Sequence, residues 1–156
     1  MAESEEEVRI GRIIACFAPG SAGAPQVVAR MARELQAELL GLFVEDVELL
    51  RFAGMPFAAE VGFPSAARRA MDVGALERQM RAQARALEEA LAAILGPAPE
   101  GWRFRVERAT PSQAVSAALA EGYAPALLIP PRGDPRAARL VVRKPELSDA
   151  LLRDLL

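Results

Sequence analysis

The 156-residue chain carries a net charge of −2, is 52% hydrophobic and 26% charged, and contains no histidine and one cysteine. These numbers predict one globular domain with a sizeable core, and they exclude an intrachain disulfide, a Ser-His-Asp triad and any metal site that needs histidine. The slightly acidic balance argues against nucleic-acid binding, and no apolar run reaches the ~20 residues that cross a membrane.

The chain opens with the acidic stretch MAESEEEV, residues 1–8. Neighbouring carboxylates repel one another and bring little apolar surface to bury, so we expect a disordered, solubilising tail. The stretch lacks the basic-then-apolar order of a signal peptide, and we therefore expect a cytoplasmic protein.

A strand, a tight turn and a helix are predicted next. Arg12–Phe17 is apolar on both alternating faces, which is typical of a parallel strand covered by helices. Pro25 suits the first position of the following helix, where its missing N–H costs nothing. A turn followed by a helix N-terminus favours anions, because unpaired backbone N–H groups point outward there. The turn consists of Pro19, Gly20, Ser21, Ala22 and Gly23.

A second apolar strand begins near Leu39 and runs to Val44, with Glu45 and Asp46 at its carboxyl end. The connection that follows, residues 47–71, is rich in leucine and phenylalanine and is interrupted by glycine and proline. So long and apolar a connection is seldom an ordinary loop. It could cover the core, close over a pocket as a lid, or form a subunit interface.

The pattern becomes regular again at Asp72, a suitable N-cap for a long amphipathic helix over Val73–Leu95. Beyond Gly96, Trp102, Phe104 and Val106 alternate with charged residues, which predicts a half-exposed strand near a sheet edge.

The last part of the chain continues the alternation of helix and strand. Thr110 or Ser112 could cap a helix that stops near Gly122, and Ala126–Ile129 reads as another buried strand. Leu140 to Val142 suggest a short final strand, and residues 146–156 an amphipathic C-terminal helix. Alternating units of this kind predict an α/β fold with a single doubly wound, mainly parallel sheet and helices on both faces, over residues 9–145.

Several stretches resemble the universal stress protein family. IIACFAPGS, residues 13–21, resembles the family's opening strand and turn, and LFV, residues 42–44, resembles the end of its second strand. PSQAVSAALAEGYAPALLI, residues 111–129, resembles the helix and buried strand that come later. LFVEDVELLRFAGMPFAAEV, residues 42–61, resembles a subgroup with a long segment after the second strand. The resemblance covers residues 9–133 and implies the strand order 3-2-1-4-5.

Many members of that family bind ATP, but this chain departs from the binding pattern. Ala18 and Pro19 occupy the region of the family's first-strand aspartate. The glycine signature after the fourth strand is largely missing from PPRGDPRAARLVVRKPELS, residues 130–148. Only Gly133 fits a signature position, and a proline, which has no N–H to offer a phosphate, stands where the first glycine would be. We therefore expect no cofactor, and ATP binding that is weak or absent.

Two functions remain open. One is a non-enzymatic module that acts through self-association or partner binding; the apolar residues of 47–71 and 147–156 then favour a homodimer or larger assembly. The other is a protein that holds a nucleotide or another small anion in a modified crevice at the strand carboxyl ends. An enzyme would have to rest on Glu45, Asp46 and Asp134 as acid-base carboxylates. The residues expected at the crevice are Pro19, Gly20, Ser21, Ala22, Gly23, Val44, Arg132 and Gly133.

Overall fold

The computed structural model describes residues 9–20, 25–55, 59–61, 68–70, 72–97, 101–122, 125–130 and 138–141. Several sequence predictions lie outside these residues: the tail 1–8, the turn residues Ser21, Ala22 and Gly23, the segment with Arg132, Gly133 and Asp134, and the helix 146–156. The described elements are, in chain order, β1 (Arg12–Phe17), α1 (Pro25–Leu35), β2 (Glu38–Asp46), α2 (Val47–Ala53), β3 (Ala59–Val61), β4 (Arg68–Ala70), α3 (Val73–Leu95), β5 (Trp102–Ala109), α4 (Pro111–Ala120), β6 (Ala126–Ile129) and β7 (Arg139–Val141).

Five strands form the main sheet in the order β5-β2-β1-β6-β7. Counted within that sheet, the order is 3-2-1-4-5, and the predicted α/β fold is confirmed. The first four strands are parallel, while β7 pairs antiparallel with β6. The predicted edge position of the Trp102 strand is also confirmed, because β5 is the terminal strand on its side of the described sheet.

The two sides of the sheet bury different residues of the same strands. Ile13, Ala15 and Phe17 of β1 join the core cluster that contains residues of α1 and α3. Ile14 and Cys16 join the cluster beneath α4. This is why β1 reads as an unbroken apolar run, since each alternate side chain has a helix above it. Helices therefore cover both faces, as predicted.

The long helix begins and ends where the sequence indicates. The Asp72 carboxylate accepts hydrogen bonds from the N–H groups of Gly74 (2.9 Å) and Ala75 (3.2 Å), and α3 then runs to Leu95. Gly96 follows in the left-handed region with φ +81°. At α4 it is Thr110 that caps the helix, in a capping box with Gln113.

The connection 47–71 contains structure that the sequence pattern did not predict. Asp46 caps the short helix α2, and β3 and β4 form a separate two-stranded antiparallel sheet. Leu49 and Leu50 pack against the core cluster under α1 and α3, and Ala53 is buried. The described first part of this connection therefore packs against the core.

None of the helices that the structure describes has the length and apolar character needed to cross a lipid bilayer.

Candidate functional site

The predicted crevice lies where the strand order reverses, between β1 and β6. The chain leaves β1 toward α1 on one face of the sheet and reaches β6 from α4 on the other, a topology that favours a crevice beyond their carboxyl ends. Among the described residues, Pro19 and Gly20 border the end of β1 and Pro130 follows β6. Pro130 is buried, Pro19 is half-buried and Gly20 is exposed.

The turn after β1 is attached to α3. The Gly20 N–H donates a hydrogen bond to the side-chain oxygen of Gln83, over 3.3 Å. Gly20 has φ +75°, a conformation that glycine adopts without steric cost, and no atom lies within 4 Å of where a Cβ would be. An N–H that could have faced an anion thus already has an acceptor.

Val44 is buried completely, in the cluster beneath α4. The whole residue, backbone included, therefore presents no surface to a ligand. The remaining predicted crevice residues, Ser21, Ala22, Gly23, Arg132 and Gly133, lie outside the described part of the chain.

A charged cluster occupies the projecting ends of β2 and β5. The register pairs Phe17 of β1 with Phe43, but β2 and β5 continue together to Asp46 and Ala109. Glu45 lies opposite Arg108 in this extension. Its side chain is only 9% exposed, and it is the buried charged residue among those the structure describes.

Arg108 joins Glu45 to the start of α3. Its Nε donates to Glu45 Oε2 over 3.1 Å, and its Nη2 donates to Glu77 Oε2 over 3.1 Å. Hydrogen bonds to Glu77 and then to Glu45 raise the pKa of the Arg108 guanidinium above its usual value. Glu77 Oε2 also lies 3.6 Å from Nη2 of Arg81, which is one turn further along α3. We call Glu45, Glu77 and Arg108 the carboxyl-edge clasp, because they join two strands and a helix.

The two carboxylates of the clasp have a structural role. A general base needs a lone pair directed at a substrate proton, whereas these two acids accept hydrogen bonds from one permanently charged guanidinium. Asp46 is committed as well, since its carboxylate accepts the Glu48 N–H (3.0 Å) and so caps α2. The third candidate acid, Asp134, lies outside the described residues.

Cys16 and the acidic residues offer no metal centre among the described residues, in which no group of three or more possible ligands comes together. Burial raises the pKa of the Cys16 thiol to about 12, so it stays protonated at neutral pH. A protonated, buried thiol is neither a nucleophile nor a metal ligand.

Sequence reasoning predicted that Glu77 pairs with Arg81 along α3, as the structure shows. It missed the roles of Gln83 and Arg108 and the contact between Arg108 and Glu77. The contacts of Gln83 with Gly20 and of Arg108 with Glu45 each join residues 63 positions apart. The available signal was the sheet order, because neighbouring parallel strands that both end in charged residues bring those residues to one edge.

A scan of protein-family models finds none that matches the chain, and a search of curated proteins finds no match either. The resemblance to the universal stress proteins therefore stays a hypothesis, based on sequence patterns and on the strand order that they imply.

Proposed function

We propose that the chain is a cytoplasmic, non-enzymatic module of the universal-stress-protein type, which acts through self-association or partner binding and has a degenerate nucleotide site. The sheet order that the resemblance implies supports the fold part of this proposal. The functional part depends on the contacts made by the residues at the carboxyl ends of β1 and β2.

One observation carries the proposal, namely the hydrogen bond from the Gly20 N–H to Gln83. A phosphate cradle needs several backbone N–H groups that lack protein acceptors, each contributing roughly 1.5–3 kcal/mol toward a charged acceptor. Here the described N–H of the turn binds a side-chain amide instead. The acidic residues at the same edge of the sheet cap a helix or bind an arginine. These contacts also support a structural rather than a chemical role for this edge.

The region around α2 supports self-association. Phe52 is 46% exposed and Met55 is 38% exposed, and the two are linked by a hydrogen bond from the Met55 N–H to the Phe52 carbonyl. Two large apolar side chains are thus exposed within one turn, close to α2 residues that pack on the core. Adjoining apolar groups of this kind are more typical of a contact surface than scattered single residues are.

Native mass spectrometry tests self-association, because it reports bound ligand and subunit number together. We expect assemblies at multiples of the 16.7 kDa chain mass. Phe52→Ser should shift them toward monomer, while Val27→Ser, which alters an exposed apolar residue of α1, should not. A purely monomeric wild-type protein that retains no partner would contradict the proposal.

A titration with ATP tests the degenerate site. We expect no saturable heat of binding for the wild-type chain. Gln83→Ala, which releases the Gly20 N–H, provides the matched comparison. Wild-type binding with a low-micromolar dissociation constant would show that the turn cradles phosphate and would establish the small-anion function instead.

That alternative function has one observation in its favour. The first turn of α1 contains no acidic residue, so none of that turn's own side chains neutralises the positive end of the helix dipole. The positive field at the N-terminus of α1 would stabilise an anion bound at the crevice. The ATP titration therefore separates the two functions directly.

A further inference from the structure

Strand β5 forms an outer edge of the main sheet as the structure describes it. It is eight residues long and contains no proline, and none of the described strands pairs with its outer side. Edge strands are usually short, interrupted by proline or covered, because an exposed row of N–H and carbonyl groups invites pairing with another chain. The length and sequence of β5 therefore leave it able to pair with a further strand.

The hydrogen bonds to β2 show which backbone groups of β5 point outward. The Leu39 N–H of β2 donates to the Gly101 carbonyl over 3.1 Å, and the register continues without a break to Ala109. Because peptide groups alternate in direction along a strand, every second residue from Gly101 onward bonds to β2. The N–H and carbonyl groups of the residues between them, which include Phe104, Val106 and Arg108, point away from β2.

The side chains of β5 divide between the two faces of the sheet. Phe104 packs against the core cluster under α1 and α3, and Val106 follows it on that face with 44% of its surface exposed. Arg105 and Glu107 lie on the other face, where Nε and Oε1 are 2.8 Å apart. Arg105 Nη1 also lies 2.9 Å from Oε1 of Glu121, which follows α4. An arginine and a glutamate thus adjoin on one face, with an exposed valine between them on the other.

This order of charges is complementary to itself. When two copies of a strand pair antiparallel about a two-fold axis, residues at equal distances on either side of the axis lie opposite each other. With Val106 on the axis, each Arg105 lies opposite Glu107 of the other copy. An axis at Phe104 places Arg103 opposite Arg105, and an axis at any charged residue of β5 places that residue opposite itself. An axis at either end of β5 leaves almost no overlap.

We propose that two copies of the chain pair antiparallel through β5, with Val106 on the two-fold axis and Arg105 opposite Glu107 of the other copy. The outward backbone groups of the two Val106 residues then bond to each other, and those of Phe104 bond to those of Arg108 in the other copy. The four charges alternate in sign around the axis, and the two exposed valines cover each other. The inference rests on the proposed self-association and names its interface.

Disulfide cross-linking of the full-length protein tests this register. The Cα atoms of a hydrogen-bonded antiparallel pair lie about 5.5 Å apart, which a disulfide can span. We expect Val106→Cys to form, on mild oxidation, a covalent species of twice the 16.7 kDa chain mass. Arg103→Cys is the matched control on the same strand, because the two copies of that exposed position are roughly 20 Å apart in this register. The wild-type protein, whose Cys16 is buried, should form no covalent dimer.

Charge reversal tests the pairing of Arg105 with Glu107. Arg105→Glu and Glu107→Arg each place like charges opposite each other in a homodimer, whereas a heterodimer of the two variants has only opposite charges there. We expect each variant alone to dimerise about tenfold more weakly than the wild-type protein, and the mixture to form heterodimers. Arg103→Glu makes the same change in net charge as Arg105→Glu but lies opposite Ala109, so it should alter dimerisation little.

Sedimentation equilibrium measures these affinities, and thermal melts show whether each variant is folded. Cross-linking of Val106→Cys still tests the interface if a charge variant is not. Three results would overturn the proposal: no covalent dimer of Val106→Cys, equally fast cross-linking of Arg103→Cys, or no heterodimer from folded charge variants. The first would show that a second copy does not cover the β5 edge.

Native mass spectrometry of the wild-type protein distinguishes this failure from failure of the proposed function. Assemblies that persist while the β5 tests fail would place self-association at another surface, such as the one that contains Phe52. The proposed function would then stand without this interface.

Discussion

Gln36 has a backbone conformation that its side chain disfavours. It follows α1 with φ +49°, in the left-handed region that usually belongs to glycine. Its N–H donates to the Arg33 carbonyl (3.2 Å), and the Ala37 N–H donates to the Ala32 carbonyl (3.1 Å). These two hydrogen bonds form a Schellman motif, which ends a helix by turning one residue into the left-handed region.

We expect Gln36→Gly to stabilise the protein. A non-glycine residue in the left-handed region costs roughly 1–2 kcal/mol, and glycine would remove this cost. Part of the gain is offset by roughly 0.5–1 kcal/mol, because glycine increases the conformational entropy of the unfolded chain. The net increase in the free energy of unfolding should be about 0.5–1 kcal/mol. Urea denaturation measures it. Gln36→Ala is the control because it retains the strain, and a loss of stability in Gln36→Gly would contradict the reasoning.

Cys16 gives a prediction about alkaline pH. Its folded-state pKa of about 12 lies above the unfolded value, so above about pH 9 the unfolded chain releases a proton that the folded chain keeps. The stabilising contribution is complete below pH 9 and is lost as the pH rises toward 12. The slope is at most about 1.4 kcal/mol per pH unit.

Comparison with Cys16→Ala isolates this contribution from other groups that titrate in the same range. Urea denaturation at pH 8, 9 and 10 should show that the free energy of unfolding falls more steeply for the wild-type protein than for the variant. Parallel pH profiles would show that the thiol ionises in the folded state as readily as in the unfolded chain.

Among the elements, β2, β5 and α3 are joined by the carboxyl-edge clasp. Arg108→Ala would leave the Glu45 carboxylate buried without its cation, at a cost of about 1–3 kcal/mol. Adding Glu45→Gln to this variant should recover part of the loss, because an amide is cheaper to bury than an unpaired charge. Chemical denaturation of both variants measures the coupling.

Arg81→Ala is the matched control for the clasp. Arg81 contacts the same Glu77, but at 3.6 Å and with a side chain that is 58% exposed. Exposed pairs along a helix contribute only about 0.3–0.5 kcal/mol. Equal losses for Arg81→Ala and Arg108→Ala would show that Glu45 does not need its partner.

The predictability of each element follows from its length. Helix α3 repeats its apolar residues over six turns and carries its own cap, so its bounds Val73–Leu95 were predictable from sequence. Strands β3 and β4 have three residues each, too few to show a period. The α2 sequence, VELLRFA, is apolar enough to suggest a cover for the core, a lid or an interface. Its position in the structure decides among them for Leu49 and Leu50, which pack against the core cluster.

The candidate crevice was less predictable than the fold. Strand ends could be placed from the order of elements, and Gly20 is indeed exposed beside the end of β1. Side-chain contacts across that edge could not be predicted, because the partner of a residue such as Gln83 is set by how α3 packs against the turn. The same holds for Arg108, whose alternation within β5 indicates exposure but not which carboxylate it meets.

For the whole molecule, the sheet predicts a gradient of amide exchange. Strand β1 is paired on both edges and covered on both faces, whereas β5 forms one edge of the described sheet. We expect Ile13, Ile14 and Ala15 to be among the slowest amides, and the outward-facing amides of β5 to exchange much faster.

Hydrogen exchange followed by mass spectrometry measures this gradient at two protein concentrations. Protection of β5 that equals that of β1 at low concentration would contradict an open edge. Protection that appears only at high concentration would identify the β5 edge as a surface for self-association.

The central position of β1 also has a consequence during synthesis on the ribosome. Its partner on one edge, β2, begins at Glu38, but its partner on the other edge, β6, begins only at Ala126. At about 5–20 residues per second, translation from Phe17 to Ala126 takes roughly 5–20 s. Throughout that interval one edge of β1 in the nascent chain lacks its partner, because β6 has yet to be synthesised. A holding chaperone or slow codons within the α3 and β5 region would therefore affect the yield of native protein.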